Sequence, residues 1–306
     1  MNVLEINHLT KNFGSHEVIK DLNLNIPQNT IFGFIGQNGA GKTTTMKMIL
    51  GLLKKTSGSI KVCGEEVTYG QTNTNRFIGY LPDVPEFYGF MNAMEYLELC
   101  GSITGMNSST VQQKSLELLE LVGLLNVKKK KINGYSRGMK QRLGIAQALL
   151  NEPLLLICDE PTSALDPLGR KEILDILKTV KNKTTVVFST HVLSDVEKIC
   201  DHIAILKDGQ IALTGTLTDI KSKHSINCIR IEFNHDEDLL NFQENYKDAY
   251  TKEIEVMDNC QILIRSSQIE YTQSLIYQFL YEHKIYPLCV EKVEPSLENL
   301  FLEVVE

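Results

Sequence analysis

Gly36, Gln37, Asn38, Gly39, Ala40, Gly41, Lys42 and Thr43 complete a G-x-x-x-x-G-K-[ST] pattern, with Thr44 following. Residues 30–35 before it are apolar and aromatic enough for a buried strand, and residues 44–53 after it carry apolar side chains at helical spacing. A strand, this loop and a helix in that order form a phosphate-binding turn. Glycines let the backbone curl until its N–H groups face phosphate oxygens. The helix opening near Lys42 adds free N–H groups and the positive end of its dipole. Lys42 is spaced to reach the β- and γ-phosphates, and the Thr43 hydroxyl to ligate Mg²⁺. The bland alternative is a glycine-rich strand-to-helix turn that binds nothing, and the full pattern in this context outweighs it.

A second signal lies at residues 154–160, where a fully apolar run ends in Asp159 and Glu160. Adjacent carboxylates at the end of a buried strand are costly unless they are paired or hold a metal. At the carboxyl end of a parallel sheet they emerge where open α/β sheets bind ligands. Asp159 is then the Mg²⁺ partner, directly or through water, and Glu160 the group that orients and deprotonates an attacking water. The competing reading is an Asp-Glu pair that merely caps a turn.

Around these motifs, apolar strand patterns at residues 30–35, 76–81, 154–158 and 184–188 alternate with helical ones, which predicts a parallel sheet covered on both faces. Residues 2–8 and 23–26 alternate as strands, with residues 9–15 read as a loop carrying Phe13. Two prolines at 82 and 85 break the chain. Helices expected at 91–103 and 110–125 make residues 85–150 a helical insert. The run Lys128, Lys129, Lys130 and Lys131 reads as a solvated loop. Past residue 220 the order β-α-β-β-α-β-α, with a turn at Asp258 and Asn259, predicts a small α+β unit of ferredoxin-like type. The expected division is therefore 1–220 and 221–306, the second part regulatory or dimerising.

The net charge of -7 offers no global basic field for nucleic acid or anionic lipid. The 7 cysteines never form C-x-x-C, which suggests reduced thiols in a cytosolic protein. No stretch approaches the roughly 20 apolar residues of a membrane span.

Taken together, these motifs resemble the nucleotide-binding subunit of an ATP-binding cassette (ABC) transporter over residues 2 to 216. Residues 135–142, Tyr-Ser-Arg-Gly-Met-Lys-Gln-Arg, are similar to that family's signature segment, with Ser136 and Gly138 at its key Ser and second Gly. Tyr135, Arg137 and Met139 depart from the commonest form. Residues 163–166 resemble the D-loop, and His191 the switch histidine that contacts the γ-phosphate. Phe13 stands at the adenine-stacking position. After Gly79, Tyr80, Leu81 and Pro82 the family usually has Gln, and this chain has Asp83, a shorter and charged oxygen ligand whose contact with Mg²⁺ is open.

The resemblance implies ATP and Mg²⁺ as ligands and a homodimer or pseudo-dimer in which Ser136 and Gly138 act on the opposite subunit's ATP. It also implies a separately encoded membrane permease, a cytoplasmic location at the inner face of the membrane through that permease, and no nucleic acid. The nearest likeness is to bacterial ABC-2-type exporters of the bacitracin, antimicrobial-peptide and drug branches, and the segment from Glu294 to Leu302 shares in it. Two rivals stay open: a soluble ATPase of this fold acting on ribosomes or DNA, and a regulatory module that binds ATP without turnover.

Overall fold

The computed structural model describes residues 1–223, 227–257, 260–293 and 297–305. Two compact units divide the chain at Leu217 and Thr218.

The first unit opens with β1 (Asn2–Phe13), β2 (His16–Pro27), β3 (Ile31–Gly36), α1 (Lys42–Ile49), β4 (Ser57–Val62), β5 (Glu65–Glu66) and β6 (Ile78–Leu81). A helical insert follows: α2 (Ala93–Ile103), α3 (Ser108–Leu121) and α4 (Arg137–Leu149). Strand–helix alternation then resumes with β7 (Leu155–Asp159), α5 (Pro167–Val180), β8 (Thr185–Thr190), α6 (Leu193–Ile199), β9 (His202–Lys207) and β10 (Gln210–Thr216).

Five strands form a parallel sheet in the order β9-β3-β8-β7-β6, and β10 adds an antiparallel edge. Every residue of β3, β7 and β8 is buried, as expected for central strands covered on both faces. Both faces are covered, as expected, but one cover is a second sheet. An antiparallel sheet, β2-β1-β4-β5, contributes Leu4, Ile6, Leu24, Ile26 and Ile60 to one core with Phe32, Phe34, Leu155 and Ile157 of the parallel sheet. Opposite Phe32 and Phe34, β3 meets α6 so closely that a Cβ on Gly33 would lie 2.9 Å from Cys200 Sγ and 3.1 Å from Val196 Cγ1.

The β1–β2 pair is longer than the sequence pattern indicates. Residues 9–13, read as loop, continue β1 to Phe13, which pairs with His16. Register shifts at Ile6/Leu9 and Leu9/Lys11 interrupt the two-residue period that would have revealed the strand. His8 (φ 48°) sits at the first of these shifts.

Helix boundaries follow their caps. In α2, Asn92 Oδ1 accepts from Glu95 N–H (3.1 Å) while Glu95 Oε2 accepts from Asn92 N–H (2.9 Å), a reciprocal capping box. Lys129, Lys130 and Lys131 are exposed, as a solvated run should be.

The rest of the chain comprises α7 (Leu217–Lys223), β11 (Asn227–Glu232), α8 (Asp236–Asn245), β12 (Thr251–Met257), β13 (Gln261–Ser266), α9 (Ile269–Glu282), β14 (Cys289–Val293) and α10 (Leu297–Val305). Its antiparallel sheet runs β12-β13-β11-β14, the strand order of a split β-α-β fold. Phe242 of α8, Tyr246 just past its end, and Ile276 and Leu280 of α9 share a core with Ile229, Ile231, Ile262 and Ile264. The expected turn at Asp258 and Asn259 falls outside the described residues, as do Glu294, Pro295 and Ser296 of the tail.

Candidate active site

The phosphate loop joins the carboxyl end of β3 to α1, and its shape rests on glycine. Gly41 has φ +108°, and a Cβ there would lie 2.4 Å from Ile19 Cδ1. Ala40 N–H donates to Gln37 O (3.1 Å) and Thr45 Oγ1 to Gly41 O (3.0 Å), closing the turn. A cavity of about 370 Å³ opens over it, lined by Gln37, Asn38, Gly39, Gly41, Lys42, Thr43 and Thr44 and by Asp83, Asp159 and Glu160.

Lys42 is buried, and its ammonium donates to Gly36 O at 2.6 Å and Gln37 O at 3.3 Å. Burial pushes its pKa below the ordinary lysine value, while Glu160 and Asp159 pull it back up. The ammonium is thus held by two loop carbonyls with the Glu160 carboxylate 3.7 Å away, a set of partners that a polyanion could replace.

The two carboxylates occupy different surroundings. Asp159, the last residue of β7, accepts from Thr43 Oγ1 (2.9 Å) and from Ser189 Oγ (2.6 Å). Glu160 follows with φ 48°, a left-handed conformation that costs a non-glycine residue of order 1–3 kcal/mol and gathers at functional sites. Its N–H donates to Ser189 Oγ (3.0 Å), which helps to hold that conformation. The bend brings its carboxylate to Lys42 Nζ (3.7 Å) and His191 Nδ1 (2.9 Å). Glu160, Lys42 and His191 therefore form one constellation beside the loop, with His191 joined to it through Glu160.

The other expected residues stand elsewhere. Phe13 ends β1 half-exposed, with Lys11 Nζ 4.5 Å from its ring centroid. Ser136 caps α4, accepting from Met139 N–H at 3.2 Å, and Gly138 lies in the first turn. Phe13, Ser136 and Gly138 are absent from the lining of the cavity over their own loop. Asp83 is at the rim, 3.6 Å from Arg137 Nη2, and its carbonyl accepts from the buried Gln141 at 2.7 Å.

The sequence reading gave no part to Ser189, Arg137 or Gln141. For Ser189 a signal existed, since two hydroxyl residues, Ser189 and Thr190, follow the apolar run Val186, Val187 and Phe188 in the strand beside the one that ends in Asp159.

The family model described as ABC transporter matches residues 19–163, a span holding the loop, Asp159 and Glu160. An ABC transporter ATP-binding protein of Bacillus subtilis, YxlF, is 40% identical over 303 residues, 99% of each chain. The chain belongs to the ABC transporter family. The bacitracin transport ATP-binding protein BcrA of Bacillus licheniformis is 34% identical over 99% of this chain and 97% of its own. Among solved structures, the ATP-binding cassette MJ0796, a dimer in a post-hydrolysis state with ADP and Pi bound, is 27% identical (TM-score 0.63). That likeness covers 70% of this chain and 98% of that one. The protein is an ATP-binding and ATP-hydrolysing ABC subunit, and such subunits work with separate membrane components. Among the described residues no helix is long and apolar enough to cross a membrane.

Proposed function

We propose that the cavity over the loop is the site where this subunit hydrolyses ATP with Mg²⁺ to drive export through a separately encoded permease. The observation that carries the reading is the Glu160 constellation: a carboxylate on strained backbone, held at the cavity wall between a buried lysine and a histidine. The rivals, a ribosome- or DNA-directed ATPase and a non-hydrolysing module, gain nothing from the bacitracin transport relative.

The residues divide the work. Loop N–H groups from Gly36 to Thr43 bind phosphate oxygens, and Lys42 neutralises charge that develops between the β- and γ-phosphates. Glu160 takes a proton from the attacking water at a carboxylate oxygen. His191 steadies that carboxylate and the γ-phosphate. Phe13 offers an exposed ring for the adenine. Ser136 and Gly138, away from their own loop, serve the second subunit of a dimer.

The donor set fits Mg²⁺. Thr43 Oγ1 and Asp159 Oδ2 are hard oxygen donors 2.9 Å apart, and Asp83 lines the same cavity. Mg²⁺ usually takes one or two protein oxygens beside phosphate and water. Among the described residues, no cluster of three His, Cys, Asp or Glu could hold a metal by itself, in keeping with that division. Held by Thr43 and Asp159, the ion would supply positive charge that offsets charge on the phosphates.

We further infer that the subunit sits at the cytoplasmic face of the membrane through its permease, and that the permease selects the cargo, whether peptide, antibiotic, lipid or ion. Residues beyond 217 are read as an accessory, regulatory part. The test is gentle solubilisation of native membranes and affinity purification of tagged chain, with phosphate release measured on the eluate. A co-purifying polytopic membrane protein, with hydrolysis lost in Lys42→Ala, supports the reading. Recovery with ribosomes or nucleic acid alone would overturn it.

A further inference from the structure

Helix α4 grips residue 83 twice. Gln141, fully buried, donates to the Asp83 carbonyl at 2.7 Å. One turn earlier on the same face, Arg137 faces the carboxylate, with Nη2 3.6 Å from Oδ1. At that separation the contact is an ion pair and not a hydrogen bond. Asp83 Oδ1 is itself shielded from solvent and has no hydrogen-bond partner. Both side chains are nevertheless 46% exposed overall, so the pair sits at a rim and can rearrange. The same Asp83 lines the cavity over the phosphate loop, as do Thr43 and Asp159. It also lines a second groove with Pro85, Phe87, Ile132 and Arg137. Residue 83 thus borders both a guanidinium on α4 and the cavity that holds the oxygen donors of the proposed metal site.

We propose that Arg137 is a positioning residue that competes with the divalent cation for Asp83. Without metal the carboxylate leans on Arg137. With metal and nucleotide in the cavity it exchanges the guanidinium for the cation, directly or through a water, while Gln141 keeps the backbone of residue 83 tethered to α4. A Gln at position 83 would offer the cation an amide oxygen but no negative charge for Arg137 to pair with, so the ionic part of the exchange needs the carboxylate. An under-coordinated carboxylate oxygen supplies the reason for the exchange, since a 3.6 Å ion pair leaves unfilled the hydrogen-bonding capacity that a cation or its water shell satisfies. The proposal rests on the reading that the cavity holds a nucleotide with a divalent cation.

The test is Mn²⁺ binding to the full chain in the presence of saturating ADP, followed by electron paramagnetic resonance of free Mn²⁺, so no turnover is involved. Arg137→Gln should tighten Mn²⁺ binding about two- to fivefold, the range set by a half-exposed ion pair. Asp83→Asn should weaken it. In the Asp83→Asn background, Arg137→Gln should change Mn²⁺ affinity by less than about 1.5-fold, because the two residues act as one pair. An Arg137→Gln effect of equal size with and without Asp83 would show only that a positive charge has been removed nearby, and would overturn the exchange. No tightening in Arg137→Gln would overturn it as well. ADP binding in EDTA, and its loss in Lys42→Ala, separates failure of this proposal from failure of the site reading. Nucleotide that binds through Lys42 while Mn²⁺ ignores Arg137 removes the exchange alone.

Discussion

Ser189→Ala tests how the two carboxylates are held. The Ser189 hydroxyl is fully buried, donates to Asp159 Oδ1 at 2.6 Å and accepts from Glu160 N–H at 3.0 Å. Hydrogen bonds to charged groups contribute about 1.5–3 kcal/mol, and a buried N–H left without its acceptor costs about 1–3 kcal/mol. Asp159 keeps its bond from Thr43, which moderates the first term. Removing one oxygen creates little cavity, so the loss is mostly polar. The two effects together give about 3 kcal/mol. At about 2–4 °C per kcal/mol for a unit of roughly this size, the melting temperature should fall by about 6–12 °C. The assay is thermal unfolding of nucleotide-free chain, with Ser189→Cys as a control that keeps the volume and weakens the bonds. A fall below about 2 °C would refute the claim that Ser189 carries both contacts. ATP turnover should fall as well, since the Glu160 backbone loses a restraint on its strained conformation.

Two further predictions come from the loop. Lys42 titrates below 10.5 because burial disfavours its charge, so ADP affinity in EDTA should decline as pH rises through that lowered pKa. The sign follows because the anion prefers the protonated lysine. Lys42→Arg should show a flat profile from pH 7 to 10, and calorimetric titration at several pH values checks both. Gly41→Ala should abolish nucleotide binding and cost several kcal/mol of stability. Its φ of +108° suits only glycine, and the new methyl would collide with Ile19. Equilibrium denaturation reads the loss.

Much of this was legible in the sequence because two motifs report on local chemistry. The loop needs a fixed spacing of glycines before a helix, and the run from residue 154 to Glu160 shows a strand ending in charge. The parallel order of the central strands follows from alternating elements. What stayed hidden was long-range. Nothing local marks Glu160 for φ 48°, which depends on a serine 29 residues away. The length of β1 was masked by its bulges. The Asp83–Arg137 pair joins residues that the sequence presents as two unrelated departures from a family pattern, and only the packing of α4 against the strand β6 brings them together. The antiparallel sheet that covers one face also went unread, because alternation identifies strands without naming their partners.

The central claim is that Glu160 activates the water that cleaves ATP. Its most direct test measures ATP binding and phosphate release side by side for wild type and Glu160→Gln. The account predicts ATP affinity within about threefold of wild type and phosphate release reduced at least about a hundredfold, the scale of general-base loss. Phosphate release near the wild-type rate in Glu160→Gln would contradict it.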